Sequence, residues 1–293
     1  MMTSFRWVHD LSPFLFHTQI LGQTVGVRWY GLAYVFGLFC AFLTFRRAAM
    51  HGDLPGFGAE SQSKLIMAAT LGVVGGGRLG YVLQHPAELL ADPLFALRAW
   101  EGGMTFFGGL LGVIAAMIWT ARRERISFWR LADVATFPAA FGLGVGRIAN
   151  FVNGELWGRP TGGDWGVVFP NVDGLPRHPS QLYEAVSHFL LLGILLWVWR
   201  RFSAWRRQQP GNLAALFLLG YGLLRFLTDF YRDDDTYIGP FSSGQWASLV
   251  VAFAGAALLL ILRRASRLNS SPNAHLNANA ASVPIQRFEK ELT

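Results

Sequence analysis

Residues 244–262 read GQWASLVVAFAGAALLLIL, a run without one ionisable side chain, and Arg263 and Arg264 follow it directly. About 20 apolar residues carry a helix across the hydrocarbon core of a bilayer, and this run stops where basic side chains would meet headgroups. The same test, carried towards the N-terminus, finds further runs at about 27–45, 65–83, 104–121, 131–152, 181–199 and 212–230. The expected fold class is an all-α polytopic membrane protein with seven transmembrane helices.

Composition agrees. The 293 residues are 52% hydrophobic, 14% aromatic and 15% charged, with a mean hydropathy of +0.33, which leaves too few charges to cover a soluble globule of this size. The formal charge of +7 does not point to nucleic acid, because the basic residues come in short clusters between apolar runs and form no continuous stripe. They report topology instead. The connections after spans one, three, five and seven hold Arg46/Arg47, Arg122/Arg123/Arg125/Arg130, Arg200/Arg201/Arg206/Arg207 and Arg263/Arg264/Arg267. The alternate connections hold Glu88, Asp92 and Glu101, then Asp164 and Asp173, then Asp233, Asp234 and Asp235. By the positive-inside rule the N-terminus is out and the C-terminus in.

Three segments follow. Residues 1–26 lack the basic start, apolar middle and small-residue cleavage site of a signal peptide and are expected to lie along the outer interface. Residues 27–267 form the seven-span domain, with a small outer head at about 154–178 where GRPTGGDWG and NVDGLP are rich in turn formers. Residues 268–293, rich in Asn, Ala and Ser, are expected to be a disordered cytoplasmic tail. No internal repeat of the inverted transporter kind is visible. The single cysteine, Cys40, has no partner for an internal disulfide, and the scattered histidines suggest neither a metal site nor a cofactor.

Against this apolar background, GRIANFVNGELWG (146–158) stands out. Each charge at mid-bilayer costs a few kcal/mol, yet Arg147 and Asn150 share one helical face, Gly154 falls near the same line, and Asn153, Glu155 and Gly158 surround it. On span six, YGLLRFLTD sets Tyr221, Arg225 and Asp229 at four-residue steps. Arg78 ends span two, WYGLAY places Tyr30 and Tyr34 at the start of span one, and RHPSQLYE opens span five with His178, Gln181, Tyr183 and Glu184. One account is structural, an ion pair of Arg147 with a carboxylate that glues helices together. Several arginines on separate spans exceed that need, and the planar guanidinium fork suits phosphate or carboxylate. The reading adopted is an anion pocket in the outer half of the membrane. The glycines of GVVGGGRLG, GGMTFFGGLLG and GLGVGR suit close helix packing; the other reading is backbone N–H groups freed for phosphate. GLGVGR is not a dinucleotide loop, because no strand precedes it.

Taken together, GRIANFVNGELWG, RHPSQLYE, WYGLAY, GGMTFFGGLLG and GYGLLRFLTDFYR resemble the bacterial prolipoprotein diacylglyceryl transferase family from about residue 25 to 262. The resemblance implies a seven-span protein of the bacterial inner (cytoplasmic) membrane with a small periplasmic head. It implies transfer of the diacylglyceryl group of phosphatidylglycerol to the thiol of a lipobox cysteine in a preprolipoprotein, forming a thioether and releasing glycerol phosphate. Its essential signature residues fall on Arg147, Asn150, Glu155 and Gly158, its span-one tyrosine on Tyr30, and its span-six pair on Tyr221 and Arg225. Expected partners are phosphatidylglycerol, lipobox-containing preprolipoproteins and membrane lipids, with no nucleic acid.

Two positions depart from that pattern. Phe107 stands where the family has a histidine proposed as base, and phenylalanine can accept no proton. Asp229 stands where the family has a glutamate, a shorter carboxylate still able to pair with arginine. A thiol of ordinary pKa is only about 3% thiolate at pH 7, a handicap of roughly 2 kcal/mol that nearby arginines can offset. The expected division of labour places Arg147 and Arg225 on the phosphate, Asn150 and Tyr30 on glycerol and phosphate oxygens, and Glu155 on Arg147. Gly158, Tyr221, Asn153, Arg78 and Asp229 complete the substrate site. His178, at the outer mouth, is the candidate base, although a lone histidine at a helix start is commonly structural. Competing readings are a paralogue that binds phospholipid or lipoprotein precursor without turnover, and a small-anion transporter.

Overall fold

The computed structural model describes residues 6–20, 23–98, 102–233 and 236–269. Glu101, Asp234 and Asp235 of the acidic connections lie outside these residues, as do residues 1–5 and, from 270 onward, the expected tail.

Each of the seven apolar runs is a helix. In chain order the helices are α1 (Trp29–Met50), α2 (Ala59–Gln84), α3 (Pro86–Ala91), α4 (Phe106–Arg123), α5 (Phe128–Val152), α6 (Ser180–Arg201), α7 (Ser203–Gln208), α8 (Asn212–Asp229) and α9 (Ser243–Asn269). Six of them, α1, α2, α4, α5, α6 and α9, are long and apolar enough to cross a membrane. The 18-residue α8 has the length, but Asn212, Tyr221, Arg225 and Asp229 dilute its apolar character. Phe39, Leu71, Leu190 and Phe253 stand exposed on outward faces, an arrangement that suits lipid and not water. The protein is a multi-pass helical membrane protein.

α5 is the central element, packed against α1, α4, α6 and α8, while α2 pairs with α4 and α8 with α9. The α2–α4 pair touches backbone to backbone. A Cβ added at Gly108 would fall on the Gly76 carbonyl, and one at Gly222 would come 2.5 Å from Ala252 N on α9. The packing reading of the glycines is thereby met in these pairs. In GLGVGR only Gly144 is confined, by the Phe189 ring, while Gly142 and Gly146 face open space.

Caps fix where the helices begin. Thr105 Oγ1 accepts from Gly108 N at 3.3 Å and starts α4. α8 is started from another helix: Asp133 of α5 accepts from Gly211 N at 2.7 Å and from Ala214 N at 2.9 Å. A buried carboxylate thus satisfies backbone donors that a helix start leaves unpaired, and it ties α8 to α5.

Short strands supplement the all-α expectation. β1 (Arg6–Val8), β4 (Gly166–Val168) and β5 (Pro176–Arg177) form one sheet, with β1 parallel to β4 and β5 antiparallel to it. Residues 6–8 thereby pair with the segment that lies between α5 and α6. His9 Nε2 donates to Phe151 O at 2.7 Å and extends that attachment to α5. β2 (Phe14–Ile20) pairs with β3 (Gln23–Arg28), which runs straight into α1, and β6 (Tyr237–Ile238) pairs with β7 (Phe241–Ser242) ahead of α9. Phe151, Val167 and Phe169 form the small core of the head.

Candidate active site

The last turn of α5, the first turns of α6 and the end of α8 bring their polar residues together below the head. Glu184 is the hub, with no exposure to solvent. Its Oε2 lies 2.8 Å from Arg147 Nε and 2.6 Å from Arg225 Nη1, and its Oε1 lies 3.2 Å from Arg232 Nη1. Asp229, equally buried, contacts Arg225 Nη2 at 2.9 Å and Arg232 Nε at 3.5 Å. The contact of Glu184 Oε2 with Arg225 Nη1 is close in distance yet not aligned as a hydrogen bond, so both buried atoms retain hydrogen-bonding capacity. Burying so many charges is tolerable only because each has an opposite charge beside it.

A second carboxylate organises the end of α5. Asn150 Nδ2 donates to Glu155 Oε1 at 2.7 Å, Asn153 Nδ2 donates to the same oxygen at 3.3 Å, and Asn150 Oδ1 accepts from Arg147 Nη1 at 3.4 Å. Gly154, at φ +68°, lets the chain turn back after the helix, and Gln181 Nε2 holds the Glu155 carbonyl at 2.8 Å. The expectation that Glu155 fixes Arg147 is corrected here. Glu184 makes the ion pair with Arg147, and among the described residues the hydrogen-bonded link from Glu155 to Arg147 runs through Asn150.

Tyr30, at the start of α1, faces Tyr34 edge-on with ring centroids 5.3 Å apart and lies within electrostatic reach of Glu155 and Arg147. Tyr221 sits one turn before Arg225, stacked on Phe217 and edge-on to His188. His188 is buried, and its Nδ1–H donates to the Glu184 carbonyl.

Gly158 is held at a crossing of backbones. Its N–H donates to His178 O at 3.0 Å and its carbonyl accepts from Arg177 Nη1 at 2.8 Å. A Cβ there would stand 2.5 Å from both His178 O and Tyr231 O. Arg177 also binds Asp173 and Asp233, each at 2.6 Å, so it joins the head to the segment after α8. That hydrogen bond holds the Asp173 carboxyl below the usual range and pushes Arg177 up.

Two expected site residues lie apart from the hub. Arg78 is buried with its guanidinium spent on the carbonyls of Phe95, Ala96, Gly102 and Gly103. This shapes the connection after α2, and little of the guanidinium remains for a ligand. His178 lies in the head, its Nδ1 3.3 Å from the Tyr183 hydroxyl, with the rings of Trp165 and Tyr231 at 5.0 and 5.1 Å. Burial, then the nearby Arg159 charge, pushes its pKa below the ordinary value. Phe107 is exposed in the first turn of α4, against Phe106.

Glu184 stands among the polar groups of RHPSQLYE in the sequence without a role assigned to it, whereas nothing in the sequence marks Arg232 or His188 as members of the site. A signal was present for Glu184, because an arginine inside a membrane span requires a counter-ion at its own depth on a neighbouring span.

These features define a polytopic membrane protein whose guanidinium groups, carried by separate helices, converge at one end of an otherwise apolar bundle. The family model for prolipoprotein diacylglyceryl transferase matches residues 17–261, and the chain belongs to that family. A phosphatidylglycerol–prolipoprotein diacylglyceryl transferase of Vibrio vulnificus strain YJ016 is 48% identical over 244 residues, covering 80% of this chain and 87% of the relative. The protein of that name from Bordetella bronchiseptica is 43% identical over 249 residues, covering 82% and 92%. That from Vibrio cholerae strain O395 is 45% identical over 257 residues, covering 86% and 91%.

Proposed function

We propose that this protein transfers the diacylglyceryl group of phosphatidylglycerol to the lipobox cysteine of preprolipoproteins, from the periplasmic side of the bacterial inner membrane. α8 serves as a seventh span, with the N-terminus out and the C-terminus in. The carrying observation is the meeting of Arg147 and Arg225, from two helices, at one oxygen of Glu184. Family membership supplies the substrate class. A binding-only paralogue or an anion transporter has no comparable support.

In the reaction, cysteine sulfur attacks the glycerol carbon that carries the phosphate. A carbon–sulfur bond forms, the carbon–oxygen bond breaks, and the phosphate leaves with the head glycerol. Charge gathers on the departing phosphate, and preorganised guanidinium donors in a water-poor site stabilise it. Arg147 and Arg225 hold that phosphate, with Glu184 and Asp229 keeping them oriented and ionised before the lipid enters. Asn150, Asn153 and Tyr30 orient glycerol and phosphate oxygens, and Tyr221 lines the site beside Arg225. Gly158 lets the head close over the site, and neutral His178 at the mouth accepts the thiol proton. The chemistry as written uses no cofactor.

Expression in a bacterial cell depleted of its own transferase tests the assignment. Mass spectrometry of a lipobox reporter should show the diacylglyceryl mass restored, and an unmodified reporter beside well-expressed protein would refute the assignment.

A further inference from the structure

The C-terminal halves of α4 and α6 carry the same stripe of residues. On α4 it runs Ala115, Ile118, Trp119, Arg122, Arg123; on α6 it runs Gly193, Leu196, Trp197, Arg200, Arg201. Both follow i, i+3, i+4, i+7, i+8, the spacing that puts every member on one helix face. Each stripe lines a shallow groove, of about 550 Å³ on α4 and about 470 Å³ on α6.

The faces point outward. Trp119 is 44% and Trp197 60% exposed, and the four arginines are exposed as well. Unlike Arg147 and Arg225, none of the four makes an ion pair among the described residues; Arg123 lies over the Trp119 ring at 5.4 Å and Arg201 over Phe202 at 5.8 Å. At 1.5 Å per residue, Arg200 lies roughly 24 Å along α6 from Glu184. That distance puts the stripes at the membrane surface opposite the arginine–carboxylate cluster.

We propose that each stripe seats one anionic glycerophospholipid of the opposite leaflet. The arginine pair binds the headgroup phosphate, the tryptophan sits at the boundary between headgroup and acyl chain, and Ile118 or Leu196, with the small residue one turn further in, receives the chain. Charge complementarity selects a net-negative headgroup over a zwitterionic one. The apolar half of each groove selects a lipid over free phosphate. The inference is independent of the transferase assignment, since the grooves share no residue with that site.

Native mass spectrometry of the full-length protein released from mixed phosphatidylglycerol–phosphatidylcholine nanodiscs provides the test. The wild type should retain phosphatidylglycerol over phosphatidylcholine by about tenfold. The combined variant Arg122→Gln, Arg123→Gln, Arg200→Gln, Arg201→Gln should retain two fewer anionic lipids, while Arg147→Ala, which touches only the other site, keeps those two. Inorganic phosphate should not displace them. A quadruple variant that retains as many anionic lipids as the wild type overturns the proposal, and so does release by phosphate. Should the quadruple variant fold poorly, the two pair variants decide: Arg122→Gln with Arg123→Gln, and Arg200→Gln with Arg201→Gln, should each retain one fewer anionic lipid than the wild type, and a pair variant that retains the wild-type number refutes its site.

Discussion

Arg225 of α8 and Glu184 of α6 lie 2.6 Å apart, and the same carboxylate oxygen lies 2.8 Å from Arg147 of α5. One carboxylate therefore sets the relative position of three helices and holds two cations where their mutual repulsion would otherwise separate them. Removing it leaves Arg147, Arg225 and Arg232, each largely but not wholly withdrawn from solvent, with Asp229 as the remaining carboxylate in their ion pairs among the described residues. Breaking a buried pair from one side costs about 3–5 kcal/mol, so Glu184→Ala should lower the melting temperature in detergent markedly and abolish transfer. A Glu184→Ala protein that melts like the wild type would show that the charges are not held as described.

Arg147→Lys tests the fork. Lysine keeps the charge but lacks the planar arrangement that lets arginine meet Glu184, Asn150 and a phosphate together. Loss of one transition-state donor costs about 10²–10³ in rate, so kcat for transfer from phosphatidylglycerol to a lipobox peptide should fall by that order. The melting temperature should change little, because Arg225 and Arg232 still neutralise Glu184. An unchanged kcat would remove Arg147 from the phosphate site.

Gly158→Ala inserts a carbon 2.5 Å from two backbone carbonyls, those of His178 and Tyr231. Backbone cannot move aside as a flexible side chain would, and overpacking of this kind costs about 1–3 kcal/mol. The segment displaced is the one that delivers Arg232 to Glu184, so activity should fall more steeply than stability. Limited proteolysis across residues 154–178, together with a transfer assay, measures the two effects. Equal proteolysis and equal activity would show that the crossing has room.

The helices were legible in the sequence because a membrane span is a long local signal: each of seven apolar runs is a helix, and basic residues mark alternate ends. The strands were not. β1 and β4 have three residues each, too few for periodicity to register, and they pair across most of the chain. Within the site, Arg147, Asn150, Arg225 and Asp229 declared themselves as polar groups in an apolar run. Glu184 lay in plain view in RHPSQLYE, but its partners come from α5 and α8, and only packing reveals which carboxylate meets which arginine. Arg78 carried the same signal as Arg147 and is used differently. Four backbone carbonyls satisfy it, and sequence gives no account of carbonyls turned inward by a loop.

The pH dependence of transfer follows from His178. Burial and Arg159 lower its folded pKa below the ordinary 6.5, so the neutral form predominates at pH 7 and can accept the thiol proton. The sign for stability is that of a group with a depressed folded pKa. Its contribution is complete above about 6.5 and is lost as pH falls from there through the folded value, since the unfolded chain binds the proton first. Activity at saturating lipid should therefore be level around pH 7 and decline on the acid side of 6.5, with a melting temperature that declines over the same window. His178→Asn should remove the histidine component of both declines and slow transfer by about 10²-fold, the low end of what a positioned base contributes. His188→Asn separates the two histidines, because asparagine can still donate to the Glu184 carbonyl: it should keep the acid limb and lose little rate. If the acid limb vanishes in the His188 variant and persists in the His178 variant, the proton acceptor lies inside the arginine cluster and not at its mouth.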